Sequence, residues 1–125
     1  MKYIVLGLSL ILFVGCGVAQ IGALSHAYLA LRNDDCGLVY RKLSDAEGYK
    51  KPSPELQAEI SYLRSLCLEK EKKYDEALAL LYYITEQFPK TEYGYRARIR
   101  IERIESLFRQ EQKNRTPSEK TEPGI

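Results

Sequence analysis

The chain has a single histidine, His26, among its 125 residues. One imidazole cannot assemble a histidine metal cluster or a set of histidine-activated nucleophiles, and His26 reads as an ordinary surface or semi-buried residue. Glycine-rich phosphate-cradling loops are lacking too. Carboxylates are plentiful, but Glu55, Glu59, Glu69, Glu71, Glu102 and Glu105 fall at helix-surface spacings beside lysine and arginine, the pattern of solvated faces with modest pairing. The expectation is a protein that is not an enzyme, with no metal, no free cofactor and no small-molecule substrate. An excess of one charge is missing as well: 19 basic residues stand against 17 acidic ones, which gives no electrostatic case for a nucleic-acid partner. Strand-length alternation of apolar and polar residues is absent, and so are Gly-rich hairpin turns.

What is there begins at the N-terminus. Lys2 precedes an apolar run, Tyr3 to Val14, interrupted only by Gly7 and Ser9, and the run closes on Gly15-Cys16. A short positive head and an apolar stretch ending at small residues form a secretory signal. The cysteine directly after Gly15 resembles the lipobox of bacterial lipoproteins, with Phe13 where leucine is usual. That resemblance implies lipid on the Cys16 thiol, cleavage of residues 1–15 and a domain tethered to a membrane. Gly17, in place of the aspartate that holds such proteins at the inner membrane, implies an outer-membrane address facing the periplasm. Two other readings stay open. Apolar character continues to Leu24, so Tyr3 to Leu24 is long enough for an uncleaved membrane helix of about 20 residues. Gly17-Val18-Ala19 also has the small-x-small form of an ordinary cleavage site that would release a chain starting at Gln20.

Beyond this segment, apolar residues recur at threes and fours, the helical period. Five helices are expected, over about 20–32, 35–47, 54–70, 74–88 and 92–109. Their ends carry helix punctuation: Asn33-Asp34-Asp35, then Gly48, then Ser53 as an N-cap with Pro54 at the first helical position and Glu55 in the first turn, and later Phe88-Pro89 and Thr91. Residues 110–125 are polar, contain two prolines and reach no apolar residue before Ile125. Such a segment cannot offset its own ordering entropy. The division is therefore 1–15 signal, 16–109 helical domain, 110–125 disordered tail.

Helix pairs repeated every 35–40 residues or so suggest a short solenoid. Tyr74-Asp75-Glu76-Ala77, followed by Leu81, Ile84 and Pro89, resembles the second helix of a tetratricopeptide (TPR) repeat, with Ser65 and Leu68 as contacts from the helix before it. Arg64 stands where that family prefers leucine. Ile21, Leu24, Ser25 and Tyr28, then Cys36, Tyr40 and Leu43, resemble a more degenerate copy. Ala97, Ile101, Ile104 and Phe108 continue the stack, and Arg98, Glu102, Glu105 and Arg109 give the last helix a polar capping face. The fold class expected is all-α. With the lipobox, the chain resembles the TPR lipoproteins of bacterial envelope assembly machinery.

The resemblance implies a tethered scaffold that recruits another envelope protein, in outer-membrane or secretion-machinery assembly. Tyr62 and Leu66 fall on the groove side of the third helix. Arg96, Arg100 and Arg103 form a stripe at i, i+4, i+7 on the fifth. Together they are the expected surface for an extended segment of acidic character. The alternatives are a bitopic inner-membrane subunit with an uncleaved N-terminal helix, or a soluble periplasmic chaperone or inhibitor. With Cys16 lipidated, Cys36 and Cys67 are left as an even pair in an oxidising compartment. The start of the second helix and the end of the third meet at one end of such a bundle. A disulfide and a pair of buried thiols are both open readings.

Overall fold

The structure, a computed structural model, describes the backbone of residues 2–115 and the side chains of residue 15 and residues 17–115. The Cys16 side chain, which the lipid anchor requires, the side chains of the apolar run before it, and residues 116–125 of the expected tail lie outside the described residues. Five helices make up the rest: α1 Lys2–Arg32, α2 Cys36–Tyr49, α3 Pro54–Lys70, α4 Tyr74–Gln87 and α5 Glu92–Arg115. No strand occurs among the described residues, so the protein is all-α there.

Local chemistry starts and stops these helices. The Ser53 side chain accepts from the Leu56 amide and Pro54 opens α3, so the first turn gains one acceptor and loses one surplus donor. Asp35 caps α2 in the same way through the Leu38 amide. Thr91 Oγ1 accepts from the Gly94 amide and donates to the Phe88 carbonyl, tying α5 to the end of α4. The chain approaches closely there. A Cβ on Gly94 would stand 2.2 Å from the Phe88 carbonyl oxygen, so only glycine fits. Two expected boundaries move outward. α5 runs on to Arg115 because 110–115 (Gln, Glu, Gln, Lys, Asn, Arg) is dominated by good helix formers, with Lys113 and Arg115 favourably placed in the last turn. α1 starts at Lys2, since residues 2–32 contain no proline and their glycines do not interrupt it.

The turns α1–α2 and α3–α4 are the same structure. Asp34 and Lys72 hold positive φ, 57° and 61°. Each is followed by a residue whose amide reaches back to the preceding helix, Asp35 to Ala30 at 2.9 Å and Lys73 to Leu68 at 2.8 Å. This is a Schellman closure made without glycine. The interval from Asp34 to Lys72 also relates the buried positions. Ala23, Ala27, Ala30, Val39, Leu43 and Ala46 correspond one by one to Ser61, Ser65, Leu68, Ala77, Leu81 and Ile84, and all twelve are buried. The small residues of α1 and α3 let α2 and α4 lie close, and Leu43, Leu81 and Ile84 fill the contact. Each of those large side chains contributes about 1.5–3 kcal/mol on burial.

This correspondence corrects the expected phase of α1. Ser25 and Ile21 were expected to face inward, but both are exposed, Ile21 at 66%. The inward row is displaced by two residues, to Ala23 and Ala27. In α3 the expected positions stand: Ser65 and Leu68 are buried. Arg64 has a purpose of its own. Its guanidinium grips both Glu47 oxygens, at 2.8 and 2.7 Å, and so fastens α3 to α2. Gln57 adds a third contact to that carboxylate. The Arg64 bonds hold the Glu47 pKa below the usual carboxylate range, against the opposing effect of burial.

Two apolar clusters share α3. Ile60, Leu63 and Cys67 enter the first, with α1 and α2, and Ala58 joins the second, with α4 and α5. A disulfide between Cys36 and Cys67, whose Cα atoms are 5.5 Å apart, closes the first cluster at the turn end. Lys70 pairs with Asp34 beside it. At the opposite end the buried Gln20 amide donates to the carbonyls of Ala46 and Lys50, both at 2.9 Å, capping the end of α2.

Replacing Cys36 and Cys67 by alanine is expected to lower the unfolding free energy by about 3–4 kcal/mol, the chain-entropy value for a loop of this size. The urea midpoint reports it. Two reactive thiols on the unfolded, unreduced chain would show that the bond is not made.

Candidate functional site

One face of the molecule collects side chains from α1, α3 and α5. At its centre Glu59 Oε1 accepts hydrogen bonds from the hydroxyls of Tyr28 on α1 and Tyr93 on α5, the latter at 2.8 Å. The two hydroxyls are themselves 3.0 Å apart. Three helices thus meet through one carboxylate oxygen. Tyr62, one turn along α3, packs its ring on Tyr93 at a centroid distance of 5.4 Å. On α5 the Arg96 guanidinium lies over the Tyr93 ring at 5.3 Å and pairs with Glu92. Further along, half-buried Arg100 pairs with Glu69 of α3. Glu59, Tyr62, Leu66 and Glu69 form one stripe of α3 at helical spacing.

The geometry sorts the residues expected at this surface. Tyr62 and Leu66 lie half-buried in the α3 stripe, Leu66 against the first cluster. Arg96 and Arg100 reach the face, yet each is already held by a carboxylate. Arg103 is exposed and forms none of the ion pairs among the described residues. The centre of the site, Tyr28, Glu59 and Tyr93, was not foreseen. Glu59 looks like any helix-surface glutamate, and the partners that define it are 31 and 34 residues away. The polar side of α5 is as expected at Arg98, Glu102 and Arg109, which are exposed, whereas Glu105 accepts from Tyr82 of α4.

Elsewhere the surface offers little chemistry. A hollow of about 250 Å³ near the end of α5 is lined by Tyr74, Leu107, Phe108 and Asn114 among others. A second, along α2, includes Tyr40, whose hydroxyl oxygen is shielded from solvent without a hydrogen bond of good geometry. Burial and the Glu71 charge push that phenol up to about 12. His26 is exposed. Among the described residues no group of three or more His, Cys, Asp and Glu is placed to hold a metal ion. Among the same residues no helix is long and apolar enough to cross a membrane.

No protein-family model, curated protein or solved structure matches the chain.

The central phenols titrate late. Burial pushes the Tyr28 pKa up, and its bonds to Glu59 and Tyr93 add to the effect. Tyr93 also rises through burial, moderated by Tyr28 and reinforced by Glu59. Both therefore favour the folded state in full below the ordinary tyrosine pKa of about 10, and that contribution is lost as pH climbs through the raised values. In an alkaline titration followed by phenolate absorbance, Tyr28→Phe and Tyr93→Phe should each remove a late-ionising phenol and leave the early part of the curve unchanged. Loss of an early step would contradict the hydrogen-bonded arrangement.

Proposed function

We propose that the chain is a small, membrane-tethered scaffold of the bacterial envelope, built from TPR-like helix pairs, that binds a segment of another envelope protein on the α1/α3/α5 face. One observation carries the reading. Tyrosines that could have filled the core instead stand at a face shared by three helices, held in place by one carboxylate. Aromatic side chains locked before binding give contact area at little entropic cost. The repeated turn and the repeated buried positions support the helix-pair part of the reading. The face comprises side-chain hydroxyls, rings and charges spread over three helices, which suits recruitment of a partner segment.

A photo-crosslinking residue in place of Leu66, on the face, is expected to capture an envelope protein in living cells. The same residue at Tyr83, an exposed position on α4, is expected to give markedly less of that product. Equal capture at both sites would remove the face from consideration.

The anchor belongs to the same proposal. Lipid on Cys16, with cleavage after Gly15, would place the domain directly against the bilayer, since Gln20 is already part of the fold. α1 favours a second reading: it is continuous from Lys2 to Arg32 with no break at Gly15-Cys16, as an uncleaved helix would be. Cys16→Ser should abolish palmitate incorporation and leave the chain unprocessed or released if the lipoprotein reading holds. An intact Met1 terminus on the wild-type protein, found by mass spectrometry, would favour the retained helix.

A further inference from the structure

The carboxylate at the centre of the face is not part of any ion pair among the described residues. Among the described residues, Asp34, Asp45, Glu47, Glu69, Glu71 and Glu92 each stand within salt-bridge distance of a lysine or arginine. Glu59 does not. It is half-buried, ringed by Tyr28 and Tyr93, and only its Oε1 is engaged, by neutral hydroxyls. Its Oε2 accepts no hydrogen bond from the described residues around it. A half-buried carboxylate oxygen without a donor is open to a charge-assisted hydrogen bond from an arriving cation.

The neighbouring arginines cannot supply that cation, because Arg96 is held by Glu92 and Arg100 by Glu69. For the same reason they offer an incoming acidic group no free positive charge near Glu59. The sequence alone suggested an acidic ligand. The arrangement at the centre of the face is the reverse: a carboxylate with no ion pair, approached by the hydroxyl ends of two tyrosines. The Tyr93 ring beside it already carries a cation, the Arg96 guanidinium.

We infer that Glu59, between Tyr28 and Tyr93, receives a lysine or arginine side chain from the segment that docks on the α1/α3/α5 face. This rests on the reading of that face as a docking surface, and it specifies the chemistry of what docks: a basic segment. The cation would take Oε2, leaving the two tyrosine hydroxyls on Oε1 as they are. Docking then requires no rearrangement of α1, α3 or α5. The charge of Glu59, which already contributes to raising the Tyr28 phenol, would be neutralised by the arriving group.

The test uses the full chain in neutral detergent micelles with isotope-labelled tyrosine rings. The probes are three capped nonapeptides of glycine and serine that carry three lysines, three glutamates or three norleucines. The lysine peptide is expected to shift the Tyr28, Tyr62 and Tyr93 ring signals saturably, and the other two are expected not to. Glu59→Gln should weaken lysine-peptide binding about tenfold, the scale of a hydrogen bond to a charged group, with helicity unchanged. The control Glu86→Gln, at an exposed position on α4, should leave binding intact. Equal binding of the glutamate peptide, indifference to Glu59→Gln, or no response to the lysine peptide would each overturn the inference. Capture at Leu66 without lysine-peptide binding would retain the docking face and discard its basic ligand. Lysine-peptide binding without capture at Leu66 would do the opposite.

Discussion

The face formed by α1, α3 and α5 depends on the seam between α2 and α3. The molecule is two helix hairpins and a final helix, and the hairpin α1–α2 meets the rest chiefly through α3. Ile60, Leu63 and Cys67 cross that seam into the first cluster. The Arg64–Glu47 fork fastens its middle and the Cys36–Cys67 bond its turn end. Tyr28 comes from one side of the seam, and Glu59 and Tyr93 from the other. A small rotation there would separate the phenol from the carboxylate, so the face is only as well ordered as this junction. Two clamps in so small a domain, one ionic and one covalent, have a physical logic. A core of this size supplies little net stability, and an added covalent link restricts the unfolded chain.

Much of the helix layout was legible because punctuation is local. Ser53-Pro54, Thr91 and the Asn33-Asp34-Asp35 stretch act through groups within a turn of themselves, and the helices start and stop where those residues stand. Phase was legible only where one face is apolar and the other is not. In α4, Ala77, Leu81 and Ile84 stand out against polar neighbours and are buried as expected. α1 gives no such contrast. It is apolar on several sides, with Val18, Ile21 and Leu29 exposed, and its buried row is made of alanines that look unremarkable in sequence. The row was therefore misplaced by two residues.

The α1/α3/α5 face was half legible for a related reason. Spacing along a single helix puts Tyr62 and Leu66 on one side of α3 and Arg96 and Arg100 on one side of α5. It says nothing about which groups of another helix come opposite. Glu69 neutralising Arg100, and Glu59 gathering Tyr28 and Tyr93, are contacts between residues more than thirty positions apart. In a stripe that reads as free positive charge in one dimension, Arg100 is spent on a neighbouring helix in three. Arg64 teaches the complementary lesson. An arginine where a leucine was expected signals neither a wrong register nor a defect, because the helix opposite supplies its carboxylate.

The cap formed by Gln20 bears on how the chain can be processed. The side-chain nitrogen that holds the carbonyls of Ala46 and Lys50 belongs to the first residue that would remain after cleavage behind Ala19. Glutamine at a free N-terminus cyclises and expels that nitrogen as ammonia. A mature protein beginning there would therefore shed the donor that closes α2, leaving two helix-end carbonyls unanswered. Cleavage before Cys16, or none at all, leaves the Gln20 α-nitrogen in a peptide bond, so no free amine can attack the side-chain amide.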